Sequence, residues 1–163
     1  MVSEGGVQPG WGLRLAQIGD LFTVQQLDRL CRLAPWERGT YRDFLGRPTV
    51  RFSTLCRNRN GNPILGFCIA SRIESEMEIF KIPVHPAFRL RGAGRQLLTD
   101  ALQWGRDRGA KACVLEVRSS SQGTIQFYQR SRFRVYGHWE GYYSAPVEDA
   151  LFMKRALHPG HSD

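Results

Sequence analysis

Apolar positions along this chain recur with two different periods. Leu21, Val24 and Leu27 follow one another at helical spacing, and the same spacing returns between residues 97 and 102. Shorter apolar or alternating runs, bounded by Gly, Pro, Asn and Asp, are typical of strands. The predicted strands cover residues 13–17, 50–57, 64–73, 78–84, 112–117, 133–140 and 147–154, and the predicted helices cover residues 21–31, 40–45, 92–108 and 124–130.

The order of these elements predicts a mixed α/β (α+β) domain. One strand precedes two helices, and three strands, a helix, a strand, a helix and two strands follow. The turn sequence at residues 58–63, Asn-Arg-Asn-Gly-Asn-Pro, predicts a hairpin and therefore antiparallel pairing. The strand–helix–strand unit over residues 78–117 predicts a parallel crossover. We expect one domain over residues 11–156, with short tails at 1–10 and 157–163.

The length of 163 residues, with 42% apolar and 23% charged residues, is typical of one globular domain. No apolar run approaches the ~20 residues that span a bilayer, and the N-terminus lacks the apolar segment of a signal peptide. The four cysteines and four histidines show neither metal-ligand spacing nor the density of a disulfide scaffold. We therefore expect a cytoplasmic protein that binds neither a metal ion nor a membrane.

The formal net charge of +8 suits an anionic cofactor or an acidic or RNA-rich partner. The basic residues are mostly arginines scattered along the chain, without a Lys/Arg block, a zinc spacing or a recognition helix. We therefore do not expect a nucleic acid as the direct substrate. RNA binding through the basic surface is the alternative, and it predicts an affinity that falls steeply with salt.

An Arg- and Gly-rich turn joins the fourth predicted strand to the third predicted helix. A helix that opens here points several N–H groups and the positive end of its dipole at one spot. Gly92 and Gly94 lack a Cβ, so an anion can approach the backbone closely. Three arginines, Arg89, Arg91 and Arg95, add positive charge. The turn predicts a polyanion site, such as one for pyrophosphate, although a basic helix cap would show similar residues.

Two further residues would carry acid–base chemistry if they lie in a cleft. Glu116 interrupts the apolar run of residues 112–117, and alternation places it on the same face as Val114. It is either an exposed strand residue paired with a neighbour such as Arg118, or a general base whose pKa partial burial would raise. Tyr128 lies on the last predicted helix, where a tyrosine is commonly a core residue with its hydroxyl at the surface. The residue types alone leave both interpretations open.

The spacing of Arg89, Gly92 and Gly94 departs from the dinucleotide fingerprint, which needs three glycines. It also lacks the Gly-Lys-Ser/Thr of a nucleotide P-loop. Placed after a strand that ends in Val, this spacing instead resembles the acetyl-CoA loop of the GCN5-related N-acetyltransferases, the GNAT superfamily.

A longer series of residues narrows the resemblance within that superfamily. Leu115-Glu-Val-Arg-Ser119, Ile125-Gln-Phe-Tyr128, Tyr142-Tyr143 and residues 148–153 follow one another in the second half of the chain. The series is similar to that of the RimI-type ribosomal-protein-alanine N-acetyltransferases. Pro35-Trp36 adds a weaker match in the N-terminal half.

This resemblance implies a GNAT fold, in which a central twisted sheet of about seven strands, mixed but mostly antiparallel, is flanked by about four helices. It implies acetyl-CoA as the cofactor, Glu116 as the proton acceptor for the incoming amine and Tyr128 as the proton donor to the departing CoA thiolate. It further implies a strand edge that pairs with pantetheine, a pyrophosphate loop and a tyrosine pair over the acceptor. The implied cofactor residues are Ile82, Pro83, Val84, Arg89, Leu90, Arg91, Gly92, Ala93, Gly94, Arg95 and Ser121, and the implied acceptor residues are Trp36, Tyr142 and Tyr143.

Several positions depart from the family pattern, among them Glu37, which follows Pro35-Trp36 where the family has Ser or Thr. Ser121 stands where the family has a cofactor-contacting asparagine, and Arg132 stands where a helix-ending glycine with positive φ is usual. Glu140 precedes the tyrosine pair at a place where the family is often basic, which leaves the peptide specificity open. Pro83 has no N–H and fits the cofactor strand only if that position faces away from pantetheine.

The sequence therefore predicts an acetyl-CoA-dependent acetyltransferase of protein N-terminal α-amines, with the N-terminal alanine of a ribosomal protein as the expected acceptor. Acetyl-CoA and an acceptor protein are the expected partners. A lysine side-chain or small-amine acetyltransferase on the same fold is the alternative within the enzyme class. A non-enzymatic acyl-CoA-binding module is the alternative outside it, motivated by the departures at Ser121, Arg132 and Glu140.

Overall fold

The computed structural model describes residues 10–31, 36–58 and 63–158. Within these ranges, seven strands and four α-helices follow one another in the predicted order. The strands are β1 Gly12–Leu15, β2 Val50–Cys56, β3 Ile64–Ile73, β4 Glu76–Lys81, β5 Ala112–Arg118, β6 Arg134–Ser144 and β7 Val147–Ala156, and the helices are α1 Leu21–Leu30, α2 Arg38–Phe44, α3 Ala93–Asp107 and α4 Gln122–Arg130.

The seven strands form one sheet in the order β1-β2-β3-β4-β5-β7-β6. All neighbouring strands pair antiparallel except β4 and β5, which α3 connects and which pair in parallel. The parallel pairing covers only three residue pairs, from Glu76–Ala112 to Glu78–Val114. Beyond Glu78 the two strands no longer pair, and a gap opens in the middle of the sheet.

Two apolar cores lie on opposite faces of this sheet. Alternation along β3 decides which side chains enter each core, because Cys68 and Ala70 pack with α3 while Phe67 and Ile69 pack with α1 and α2. The helix α4 joins the α3 core through two buried residues. The buried stripe of α3 consists of Ala93, Leu97, Leu98, Ala101, Leu102, Trp104 and Gly105, and that of α4 consists of Ile125 and Tyr128.

A β-bulge turns the end of β4 toward α1 and α2. Ile69 pairs with Lys81 and Ala70 pairs with Ile79, so Phe80 is the extra residue on β4. The extra residue shifts the alternation of the strand. Both Phe80 and Lys81 consequently contact side chains of α1, α2 or the segment between these helices.

The sheet and the element order confirm the predicted fold class. Most element bounds differ from the prediction by one to four residues. For example, α2 begins at Arg38 rather than at residue 40, β6 ends at Ser144 rather than at residue 140, and β4 ends at Lys81 rather than at residue 84. The strand is shorter than predicted because Pro83 has no N–H with which a regular ladder could continue, and the bulge precedes it.

Several predicted features fall outside the described ranges. These are most of both predicted tails (residues 1–9 and 159–163), Pro35, and residues 59–62 of the predicted hairpin turn. In the described part of the chain, no helix has the length and apolar character needed to cross a membrane. No three His, Cys, Asp or Glu side chains within the same ranges come together as a metal site.

Candidate active site

Residues 82–84 continue the course of β4 along the edge of the gap. Two backbone hydrogen bonds tie this segment and the following His85 to β3: the Phe67 amide donates to the Pro83 carbonyl at 3.2 Å, and the His85 amide donates to the Leu65 carbonyl at 2.8 Å. In the isolated bridge between Gly66 and Val84, the N–H and C=O of Val84 point away from β3. Successive residues of a strand point their peptide groups to opposite sides, so the side of Pro83 that lacks an N–H faces β3. The departure at Pro83 is therefore compatible with a strand edge that binds a ligand across the gap.

The Val84 carbonyl is held from two sides. The Arg89 Nε donates a hydrogen bond to it at 3.0 Å, and the Sγ of Cys31, at the end of α1, donates at 3.3 Å. Burial raises the pKa of the Cys31 thiol, and the neighbouring Arg89 partly offsets this effect. Arg89 therefore fixes the turn after β4 through its Nε, although the residue as a whole is exposed.

The turn before α3 has an exposed, left-handed backbone. Leu90 has a φ of +58° and is fully exposed, and Gly92, the N-cap of α3, has a φ of +89°. Gln96 is the first residue after this turn whose amide makes a helical hydrogen bond, and it donates to the Gly92 carbonyl at 3.0 Å. Because no described side chain caps this end, the earlier N–H groups are available to an anion, beside the exposed Arg91 and Arg95.

Small residues bring the start of α3 close to its neighbours. Ala93 is buried, and a Cβ on Gly94 would lie 3.5 Å from the Phe127 ring and 3.9 Å from Val84. Ser121 is the N-cap of α4, but its hydroxyl does not cap that helix. The structure thus brings the glycine turn, Val84 of the strand edge and Phe127 of α4 together.

Glu116 lies on the face of β5 that is opposite to the α3 core. Burial alternates along the strand, with Cys113, Leu115 and Val117 buried and Glu116 half-buried, as the alternation predicts. The carboxylate lines an open pocket. The other residues of this pocket are Glu78, Val114, Leu115, Tyr136 and Phe152.

The tyrosine pair of β6 reaches Glu116. The Tyr142 hydroxyl donates a hydrogen bond to the Glu116 carboxylate, which raises the pKa of Tyr142 to about 12. Burial and the charge of Glu116 also raise the pKa of Tyr143 to about 12. Arg118 stacks over the Tyr143 ring, 4.0 Å from its centroid, and forms an ion pair with Glu148 at 3.2 Å. Arg118 thus pairs with Glu148 and not with Glu116.

Tyr128 lies on the other face of β5, in the core with α3. Its ring centroid is 5.4 Å from that of Phe133, at an edge-to-face angle of 64°. Burial raises the pKa of Tyr128, with smaller contributions from the thiols of Cys68 and Cys113. Tyr128 and Glu116 therefore occupy opposite faces of β5, the strand that borders the gap.

Trp36 belongs to an aromatic group on the α2 side of the pocket. Its ring stacks on Phe44 with a centroid distance of 5.1 Å and meets Phe80 edge-on at 6.0 Å. The Lys81 Nζ lies 4.8 Å from the centroid of the same ring. Because Phe80 follows Glu78 on the exposed side of β4, this aromatic group flanks the pocket.

Among the acidic and aromatic residues of the pocket, sequence reasoning missed Glu78, Tyr136 and Phe152. Alternation in the strand before the glycine turn could have shown that Glu78 lies on the exposed face with Glu76. Its proximity to Glu116 depends on the register of the two strands, which has no signal in the sequence. Tyr136 and Phe152 gave no comparable signal, because an aromatic residue in a strand is as typical of a core as of a binding site.

The family of the chain follows from a direct comparison. The profile of the Acetyltransferase (GNAT) family matches residues 21–133, which is more than half of the chain. The chain therefore belongs to the GNAT family of acetyltransferases, whose cofactor is acetyl-CoA.

Individual relatives agree with this family. The ribosomal protein bS18-alanine N-acetyltransferase of Salmonella typhimurium is 29% identical over 136 residues, which cover 82% of this chain and 89% of the relative. The crystal structure of the ribosomal-protein-S18-alanine N-acetyltransferase from Escherichia coli is similar with a TM-score of 0.81 and 23% identity, covering 94% of this chain and 97% of that one. Arabidopsis thaliana NAA60 in complex with acetyl-CoA has a TM-score of 0.80 and 16% identity, covering 90% and 98% of the two chains. These likenesses confirm the predicted GNAT fold.

Proposed function

We propose that this acetyltransferase transfers the acetyl group of acetyl-CoA to the N-terminal α-amine of a protein. The observation that carries the proposal is the placement of Glu116, with its hydrogen bond from Tyr142, on one face of β5 and of Tyr128 on the opposite face. The gap between β4 and β5 connects these two faces. An amine that enters from the Glu116 side can therefore reach an acetyl group that is held from the other side.

The residues beside the gap fit acetyl-CoA, which when bound supplies an activated acetyl thioester. The outward N–H of Val84 and, by alternation, the peptide groups of Ile82 offer hydrogen bonds to the amide groups of a pantetheine arm. The unbonded N–H groups at the start of α3 and the arginines beside them offer a pyrophosphate site. The proposed cofactor site consists of Ile82, Pro83, Val84, Arg89, Leu90, Arg91, Gly92, Ala93, Gly94, Arg95 and Ser121.

Glu116 is the proposed proton acceptor. A peptide α-amine has a pKa of roughly 8 and is largely protonated at pH 7, so it must lose a proton before it attacks a thioester. The Glu116 carboxylate can take this proton directly or through a water molecule. The hydroxyl of Tyr142 orients the carboxylate, and its pKa of about 12 keeps it in the neutral, donating form.

Tyr128 is the proposed proton donor to the leaving thiolate. Burial raises its pKa, so the phenol is fully protonated at neutral pH. Its ring is fixed by Phe133, which holds the hydroxyl in place while the proton is transferred. The negative charge that develops on the acetyl oxygen needs a further donor, and a backbone N–H on the β4 side of the gap is suited to this role.

Trp36, Tyr142 and Tyr143 are the proposed acceptor residues, because they flank the pocket of Glu116 from the α2 side and the β6 side. The name of the Salmonella typhimurium relative supports a finer proposal. We infer that the acceptor is the N-terminal alanine of a ribosomal protein, which would place the enzyme in the cytoplasm.

The test is CoA release from acetyl-CoA with a panel of short peptides. The panel contains peptides with free N-terminal Ala, Ser, Met or Gly, and one N-blocked peptide that contains lysine. We expect turnover on the Ala or Ser peptides. We expect Glu116→Gln and Tyr128→Phe to lower this turnover by about 10²–10⁴-fold, which is the usual contribution of a positioned general acid or base. Glu76→Gln is the matched control, since Glu76 lies on β4 outside the pocket.

Two results would overturn the proposal. Turnover confined to the N-blocked lysine peptide would make the protein a side-chain acetyltransferase. Calorimetric binding of acetyl-CoA without turnover on any peptide would favour an acyl-CoA-binding module. Unchanged kinetics of Glu116→Gln would remove Glu116 from the mechanism even if N-terminal acetylation is observed.

A further inference from the structure

Glu78 places a second carboxylate in the pocket of Glu116. Glu78 is paired with Val114 across the last parallel rung between β4 and β5, and Glu116 follows Val114 by two residues on the same face of β5. Diagonal neighbours of this kind have Cα atoms about 7–8 Å apart in a regular sheet. Both side chains line the same pocket.

The Glu78 carboxylate has no hydrogen bond or ion pair with any residue in the described part of the chain. The cations of neighbouring strands are engaged elsewhere, since Lys154 pairs with Glu76 at 2.8 Å and Arg118 pairs with Glu148 at 3.2 Å. The residues that line the pocket include no cation.

The surroundings of Glu78 disfavour its negative charge. Partial desolvation in the pocket raises its pKa, and the charges of Glu116 and Glu76 add to this effect. A carboxylate that is partly desolvated and beside like charges is costly unless a cation joins it. Glu78 is exposed to solvent, so this cost is small. The main effect is attraction, because a positively charged ligand group in the pocket would lie close to two carboxylates that no cation of the pocket neutralises.

The walls of the pocket suit such a ligand. Phe152 is the direct cross-strand neighbour of Glu116. Tyr136 lines the same pocket, with its ring centroid 6.3 Å from that of Phe152 at an edge-to-face angle of 67°. Aromatic faces accept both the alkyl stem and the charged end of a lysine or arginine side chain. A single α-ammonium on Glu116 would leave Glu78 unpaired.

We propose that Glu78 is a specificity-determining residue, which selects acceptors that carry a second positive charge beside the reacting amine. The proposal rests on the N-terminal acetyltransferase function above. In a peptide acceptor, the second charge belongs to a Lys or Arg side chain next to the N-terminal residue. Glu116 then receives the α-amine and Glu78 receives the side-chain cation.

The experiment compares kcat/KM for three peptides that begin Ala-Lys, Ala-Ala and Ala-Glu and are otherwise identical. For the unchanged protein we expect Ala-Lys to exceed Ala-Glu by about 10–100-fold at low salt, with Ala-Ala between them. Salt should reduce this ratio, because part of it is long-range attraction. In Glu78→Gln the ratio should fall to about one, and in Glu78→Lys it should invert.

Glu76→Gln is the matched control. Glu76 lies on the same exposed side of β4, two residues before Glu78, and pairs with Lys154 outside the pocket. We expect this variant to keep the preference for Ala-Lys. A loss of preference in Glu76→Gln as large as in Glu78→Gln would show a general field effect and overturn the proposal.

Calorimetric binding of the same peptides in the presence of CoA distinguishes failure of the proposed N-terminal acetyltransferase function from failure of the proposed role of Glu78. If no peptide is turned over but Ala-Lys binds more tightly than Ala-Glu in a Glu78-dependent manner, the N-terminal function fails and the second-cation site stands. If peptides are turned over without preference, or if Glu78→Gln keeps the preference, the role of Glu78 is overturned while the proposed function stands.

Discussion

The Nζ of Lys81 lies 2.9 Å from the Oδ2 of Asp28, and their side chains are only 7% and 0% exposed. The Tyr41 hydroxyl donates a hydrogen bond to the same Asp28 carboxylate, and the ring of Trp36 covers the Lys81 ammonium. This buried pair fastens α1 to the last residue of β4. It therefore holds the bulge of β4 in place directly before the strand edge that we propose for pantetheine.

Removing one charge of this pair should be strongly destabilising. Lys81→Met leaves the Asp28 carboxylate buried without its cation, which typically costs about 3–5 kcal/mol. Urea unfolding followed by circular dichroism measures the loss. We expect Asp28→Asn, added to Lys81→Met, to recover part of it, because no uncompensated charge then remains. Lys154→Met, which breaks the exposed pair with Glu76, is the control and should give no measurable change. A similarly small effect of Lys81→Met would contradict this account.

The hydrogen bond from Tyr142 to Glu116 can be tested by titration. We expect the phenol of Tyr142 to ionise at about pH 12, rather than at the ordinary value of about 10, because ionisation breaks its bond to a carboxylate. The pKa is raised in the folded state, so this bond contributes stability fully below pH ~10, and the contribution is lost as the pH rises through about 12. NMR of ¹³Cζ-labelled tyrosines, assigned with Tyr142→Phe, measures the midpoint.

Two carboxylate variants test which neighbouring carboxylate raises the pKa of Tyr142. Glu116→Gln should lower the pKa of Tyr142, because it removes the charged acceptor of the hydrogen bond. Glu148→Gln should leave Tyr142 unchanged and affect Tyr143, which lies close to both Glu148 and Arg118. A Tyr142 midpoint that does not move in Glu116→Gln would exclude the hydrogen bond.

The order of the elements and the strand face of Glu116 could be predicted from the sequence because both depend on local patterns. Periodicity fixed the helices, and alternation alone placed Glu116 opposite Cys113 and Leu115. The strain at Arg132 was also predictable, since a helix that ends without glycine still needs a left-handed residue, and Arg132 indeed has a φ of +65°.

The proximity of Glu78 to Glu116 could not be predicted in the same way. It depends on the register between β4 and β5, and this register is set by how α3 packs across the sheet rather than by any residue in either strand. The bond between Tyr142 and Glu116 depends on two register shifts in β6, where Gly141 adopts a φ of +61°. Such irregular backbone has no periodic signature in the sequence.

The left-handed N-cap of α3 gives a further prediction. Gly92 has a φ of +89° with open space around it, so Gly92→Ala introduces backbone strain of about 1–2 kcal/mol without a clash. The added Cβ also stands at the turn that we propose for pyrophosphate, and we expect weaker binding of acetyl-CoA by calorimetry. Gly39→Ala in α2 is the control, because Gly39 also has open space but an ordinary φ. Equal acetyl-CoA affinities of the two variants would argue against a pyrophosphate site at Gly92.

The end of α4 predicts a stabilising substitution. The Phe133 amide donates to the Tyr128 carbonyl at 2.9 Å and the Arg132 amide donates to Gln129 at 3.0 Å, which is the pattern of a Schellman motif. Arg132 occupies its left-handed position, where glycine carries no Cβ penalty, so Arg132→Gly should raise the free energy of unfolding by about 1 kcal/mol. Gln126→Gly, at an exposed position within α4, should instead lower the free energy of unfolding by about 1 kcal/mol.

Because the same motif packs Phe133 against Tyr128, the Arg132→Gly variant should keep its kcat. Urea unfolding measures the change in stability, and CoA release measures the kcat. A loss of stability in Arg132→Gly as large as in Gln126→Gly would mean that the arginine contributes interactions that outweigh its backbone strain.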